Sequence, residues 1–121
     1  METIFVVDDI DVNLVVAEEA LSEQYNVITF GSAELMFEAL EDIIPSLILL
    51  DIMMPEMDGF AALKQLKSNP NYARIPVVFL TGKNDDATKS RGFEMGIADF
   101  IIKPFSEQLL LNCVETYMLT V

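Results

Sequence analysis

The sequence predicts an α/β fold, a parallel sheet with helices packed on both faces. Three observations lead there. Four short apolar runs, Ile4-Phe5-Val6-Val7, Leu47-Ile48-Leu49-Leu50, Val77-Val78-Phe79-Leu80 and Phe100-Ile101-Ile102, carry no polar alternation, as strands covered on both faces do not. Segments of helical period separate these runs, the pattern of β/α units. Each run also ends in residues able to handle a phosphate or a metal: Asp8-Asp9, Asp51, Thr81-Gly82 and Lys103-Pro104. Open parallel sheets bind ligands in the crevice at the carboxyl ends of their strands. Three carboxylates, a hydroxyl and an ammonium are therefore expected on one rim.

The elements follow in order. After the first strand, Val12, Val15, Val16, Ala20 and Leu21 fall near one helical stripe, with Asp11 placed to cap that helix. Residues 26–30 read as the second strand. Ser32 opens a helix carrying Leu35, Met36, Ala39 and Leu40, with Glu34, Glu38 and Glu41 expected to face water. Pro45 separates it from the third strand, and Met54-Pro55-Glu56-Met57-Asp58-Gly59 is a turn-forming loop. A helix over 60–67 stops near Asn69-Pro70, and Ile75-Pro76 leads into the fourth strand. Asp85 or Asp86 caps the next helix, which contains Gly92. Glycine there costs about 1 kcal/mol against alanine, so this helix is expected to be comparatively loose. The fifth strand is Phe100 to Ile102, and Ser106 caps a final helix through Leu109, Leu110, Cys113 and Tyr117. Five β/α units fill residues 1–121 as one domain, without repeat, low-complexity tract or linker.

Composition narrows the function. Just over half of the 121 residues are apolar, which argues against disorder. A net charge of −13 with only seven basic residues leaves no basic patch for nucleic acid or an anionic membrane. The single cysteine, Cys113, excludes an internal disulfide and a cysteine-built zinc site and reads as a packed apolar residue. Without histidine there is no histidine base, triad or metal ligand. Met1-Glu2-Thr3 leads straight into a strand with no signal peptide or long apolar span, so a cytoplasmic protein is expected.

The rim residues make a phosphoryl-transfer inventory. An Asp pair can simply cap the following helix, but Asp51 and Lys103 on the same rim make that reading insufficient. Like charges so close resist joint ionisation unless a cation sits among them, and few hard oxygen ligands suit magnesium. A carboxylate beside a divalent ion can act as nucleophile towards a phosphoryl donor. The transferred group needs its oxygens neutralised; Lys103 and the Thr81 hydroxyl or nearby N–H groups supply that, with Pro104 fixing the backbone after the lysine.

Asp8-Asp9 with Asn13, then residues 49–59 (Leu-Leu-Asp-Ile-Met-Met-Pro-Glu-Met-Asp-Gly), Thr81-Gly82, and residues 96–105 ending Lys103-Pro104-Phe105, closely resemble the receiver domain of two-component response regulators. The resemblance covers essentially the whole chain. It implies a flavodoxin-like (βα)5 three-layer sandwich with a five-stranded parallel sheet in the order 2-1-3-4-5. It further implies Asp51 as phosphoacceptor, supplied by a histidine kinase or histidine phosphotransfer protein. Magnesium would be held by Asp8, Asp9 and Asp51 and by the backbone carbonyl of Met53, with Asp9 and Asp51 direct ligands and Asp8 acting partly through water. Thr81 and Lys103 would bind phosphoryl oxygens, and Phe100 would change rotamer with Thr81. Such a domain catalyses only its own phosphorylation and autodephosphorylation, and often dimerises through the face of helix 4, strand 5 and helix 5.

Two positions depart from the commonest family choices: Gly82 where alanine is more usual, and an apolar Met53 two residues after the acceptor. Neither removes a ligand, and both are expected to tune phosphorylation lifetime. Haloacid-dehalogenase-like phosphatases need a second Asp where Met53 stands, and a flavin binder needs a Ser/Thr/Gly-rich loop where Asp8-Asp9-Ile10-Asp11 stands. The remaining alternative is a receiver-like interaction module independent of phosphorylation, but such modules usually lose an acidic residue, the acceptor or the lysine, all present here. The chain ends at Leu119-Thr120-Val121, so it reads as a stand-alone receiver or one cut from a longer protein. Residues 75–81 and 92–96 look like receivers of cyclic-dinucleotide regulators and hybrid kinases.

Overall fold

The structure, a computed structural model, describes residues 1–82 and 85–118. The strands β1 (Thr3–Val7), β2 (Asn26–Phe30), β3 (Leu47–Asp51), β4 (Val77–Thr81) and β5 (Asp99–Ile102) form one parallel sheet in the order β2-β1-β3-β4-β5. The helices are α1 (Asp11–Leu21), α2 (Ala33–Leu40), α3 (Gly59–Ser68), α4 (Asp86–Glu94) and α5 (Glu107–Met118). This is the flavodoxin-like architecture and strand order that the sequence predicts. The order reverses between β1 and β3, and such a switch point opens a crevice at the strand ends.

Alternation along the strands divides the core between two faces. Phe5, Val7, Ile48, Leu50 and Phe79 pack with Met36, Leu40, Leu63 and Leu66 of α2 and α3. Ile4, Val6, Leu47, Leu49, Val78 and Leu80 pack with Ala17, Leu21, Leu110 and Val114 of α1 and α5. The strands have no solvent face, so their sequences show no polar alternation. Among the described residues no helix is long and apolar enough to cross a membrane.

Three of the predicted caps form. Ser32 Oγ accepts from Leu35 N, Asp85 rather than Asp86 accepts from Thr88 N, and Ser106 Oγ accepts from Leu109 N. Asp58 caps α3 through Ala61 N, so that helix begins one residue earlier than predicted.

Elsewhere the expectations need correction. Asp11 does not cap α1: it is the first helical residue, Ile10 is the N-cap, and no side chain caps that end. The Asp8 carboxylate already takes the Ile10 N–H. The buried stripe of α1 runs through Ala17 and Leu21, flanked by Leu14 and Ala20, while Val12 and Val15 stand 66% and 53% exposed. Positions 14, 17 and 21 share a face at 3.6 residues per turn, and 12 and 15 lie off it. On α2 the inward set is Ala33, Met36 and Leu40; Leu35 is half exposed and Glu34 is partly buried rather than in water. Gly92 is buried against the sheet, so it has a packing reason beyond helix propensity.

Candidate functional site

The strand ends deliver the rim residues together. Asp8 directly follows β1, with its N–H donating to Phe30 O at 3.1 Å. Its side chain is fully buried: Oδ1 accepts from Ile10 N at 2.9 Å, and Oδ2 accepts from Asn13 Nδ2 at 3.1 Å and from Lys103 Nζ at 2.9 Å. Asp51 ends β3 and is 1% exposed; its Oδ1 accepts from Lys103 Nζ at 3.0 Å and from Met53 N at 3.3 Å. Asp9 lies beside them on the solvent side, and one carboxylate oxygen from each of Asp8, Asp9 and Asp51 falls within 4.8 Å of the others.

Lys103 is held from below. Its N–H donates to the carbonyl of Thr81, the buried last residue of β4, at 2.8 Å, and the Lys103–Pro104 peptide is cis. The hydrogen bond ties the lysine backbone to the end of β4, and the ammonium lies against the two buried carboxylates. Thr81 and Phe100 project to the same face of the sheet, because Phe79 pairs with Phe100 and Thr81 stands two residues further on. The Phe100 ring does not reach the rim. It packs edge-on against Phe79 and Phe93, with centroids 5.9 and 5.5 Å away. The Met53 side chain points to solvent, and its N–H faces Asp51.

The electrostatics follow from burial. Desolvation pushes the Asp51 carboxyl up to about 6; the Lys103 hydrogen bond opposes this and the Asp8 charge adds to it. Burial pulls Lys103 down, yet its bonds to Asp8 and Asp51 outweigh that, and its net shift is upward. One ammonium thus leaves the three-carboxylate cluster with excess negative charge. Hard oxygen donors on an open rim with such an excess fit a divalent cation of the magnesium type, whose remaining positions take water or phosphate oxygens.

Three supporting contacts carry weaker sequence signals. Asn13, noted only as part of a motif, orients Asp8 through its amide. Gly59 lets the start of α3 lie against the acceptor strand: a Cβ there would meet Asp51 O at 2.6 Å and Ile52 Cα at 2.7 Å, and its N–H donates to Ile52 O at 2.8 Å. The Arg91 guanidinium stacks 3.9 Å over the Phe60 ring, beside a cavity of about 320 Å³ that Met53 helps line. The Asp-Gly pair hinted at the Gly59 turn; nothing local pointed to Arg91.

The sequence matches the response regulator receiver domain family across residues 4–115. The chain belongs to that family. The receiver is 39% identical over 116 residues to a Vibrio cholerae protein named probable cyclic di-GMP phosphodiesterase, covering 96% of this chain and 26% of that one. It is 37% identical to the response regulator PleD of Caulobacter vibrioides, over 93% of this chain and 25% of PleD. The chain therefore spans about a quarter of the length of these relatives. Among solved structures, the BeF3-activated receiver domain of DrrB from Thermotoga maritima is 30% identical, with TM-score 0.87 over 98% of this chain and 97% of that one. The Vibrio cholerae chemotaxis protein CheY4 shares the fold at TM-score 0.91 and 24% identity, over 97% of this chain and 98% of its own.

Proposed function

We propose that this receiver accepts a phosphoryl group on Asp51 from a histidine kinase or histidine phosphotransfer protein, with magnesium, and so switches an output domain or partner. The observation that carries the reading is Lys103 Nζ bridging Asp8 and Asp51 at 2.9 and 3.0 Å on the rim of the sheet. A buried carboxylate beside one fixed ammonium and two further carboxylates is a nucleophile in a site built for a cation and an anion together.

Magnesium would be held by Asp9 and Asp51, by Asp8 partly through water, and by the Met53 carbonyl. When bound, it neutralises charge on the carboxylates and on phosphoryl oxygens. Asp51 presents a carboxylate oxygen to phosphorus; the new O–P bond forms as the bond from phosphorus to the donor nitrogen breaks, its electron pair leaving with the imidazole. The Lys103 ammonium and Thr81 hydroxyl take phosphoryl oxygens, with Lys103 exchanging its Asp51 contact for the phosphoryl group. Thr81 drawn to that group vacates space on the face it shares with Phe100, and this favours the inward position of the ring.

Exposed Ile10, Val12 and Val15, flanked by Asp9, Asp11, Glu18 and Glu19, offer the donor protein an apolar stripe with an acidic rim. Half-exposed Phe93 on α4 and Leu109 on α5 support a homodimer through α4, β5 and α5. The strongly acidic chain offers nucleic acid and anionic membranes no direct surface, and a cytoplasmic location suits these partners.

The test is incubation with magnesium and a small acyl phosphate followed by intact mass. We expect one phosphoryl addition that requires magnesium and is lost in Asp51→Asn. No addition from either the acyl phosphate or a histidine phosphodonor contradicts the reading.

A further inference from the structure

Gly92 lies inside α4 with its α-carbon against the sheet, and the space a Cβ would need is already filled. A Cβ would stand 2.7 Å from Ile97 Cδ1, 3.1 Å from Phe100 Cζ and 3.3 Å from Phe79 Cδ2. The glycine is buried and has no positive φ, so backbone conformation does not demand it. Helix propensity would favour alanine here. What requires glycine is the space above it.

Three neighbours share that space unequally. Ile97 Cδ1 is the end of a flexible chain and can turn away. Phe79 is wholly buried as the middle ring of an edge-to-face stack, with Phe60 5.3 Å and Phe100 5.9 Å away, and cannot. Phe100 is partly exposed on the edge strand β5, so of the two rings it alone has an exit. Its ring stands in a slot walled by Phe79 and Phe93 and floored by the bare backbone of Gly92.

We propose that Gly92 is the positioning residue of the Phe100 ring: the missing side chain makes the socket that the inward ring occupies. Any side chain at 92 narrows the socket and drives Phe100 towards solvent. The consequence for signalling rests on the phosphoacceptor reading. If phosphorylation favours the inward ring, a residue that expels the ring must weaken binding of a phosphoryl group or its mimic by the same factor.

The experiment compares the parent protein with Gly92→Ala by aromatic NMR, following NOEs from the Phe100 ring to Phe79 and Phe93. Magnesium with beryllofluoride is titrated in parallel. We expect Gly92→Ala to lose those NOEs and to bind beryllofluoride about tenfold more weakly, a typical coupling between two sites. Retention of both NOE sets in Gly92→Ala overturns the socket, and loss of the NOEs with unchanged beryllofluoride affinity overturns its link to the switch. A parent protein that ignores beryllofluoride defeats the phosphoacceptor reading instead, while the NOEs still decide the socket. Should Gly92→Ala be too unstable for NMR, a double-mutant cycle with Phe100→Ala decides by denaturation. The destabilisation caused by Gly92→Ala must shrink once the ring is gone; an equal loss in both backgrounds overturns the proposal.

Discussion

Lys103 Nζ lies 3.0 Å from Asp51 Oδ1 and 2.9 Å from Asp8 Oδ2, so one ammonium is shared by two carboxylates from different strands. Both acids are buried, and neither has another cationic partner among the described residues. Removing the ammonium leaves two like charges uncompensated out of water. Lys103→Ala should therefore lose about 2 kcal/mol of stability in chelator at neutral pH. Magnesium should restore part of it, because a divalent cation replaces the missing charge. Urea denaturation with and without magnesium checks both.

The raised carboxyl of Asp51 fixes a pH dependence in metal-free protein. Its folded value is about 6 against an ordinary 3.8, so between these values the folded state binds more protons than the unfolded. This contribution to stability falls as pH rises from 3.8 towards 6, and the unfavourable burial of the ion is complete above 6. Asp51→Asn should flatten that part of the stability–pH profile and be favoured over the parent above pH 6, as thermal unfolding across pH in chelator can read.

Gly59 offers a steric test remote from charge. Both atoms nearest a Cβ at 59 belong to the backbone of Asp51 and Ile52, so neither can rotate away. Gly59→Ala should destabilise by about 2 kcal/mol, as overpacking does, and slow phosphorylation because the displaced strand carries the acceptor. Denaturation midpoints and the rate of phosphoryl mass gain measure the two effects.

Val12 and Val15 are apolar without being core. Val15→Lys should change stability by less than about 0.5 kcal/mol. It should nonetheless slow transfer from a histidine phosphodonor protein while leaving reaction with a small acyl phosphate unchanged. Parallel rates with the two donors separate docking from chemistry.

These positions also explain what the sequence could reveal. The strands were legible because they are covered on both faces, and that burial writes itself as unbroken apolar runs ending at the rim. Asp8, Asp9, Asp51, Thr81 and Lys103 were legible because a parallel sheet sends every strand end to the same edge. The face of α1 was not, since exposed Val12 and Val15 look the same in sequence as core valines. Asp11 does not cap it because that residue is itself helical, and the Asn13 and Leu14 N–H groups donate to the Ile10 carbonyl. Gly92 suggested a weak helix because a local scale prices only backbone freedom; the approach of Phe100 and Ile97 is tertiary.

Chemical trapping reads directly whether the phosphoryl group resides on Asp51. Protein treated with magnesium and acyl phosphate is reduced with borohydride, which converts an aspartyl phosphate to homoserine, and the peptides are sequenced by mass spectrometry. Homoserine is expected at position 51 and nowhere else. Homoserine at Asp8 or Asp9, or at no position while phosphoryl mass is present, would contradict it.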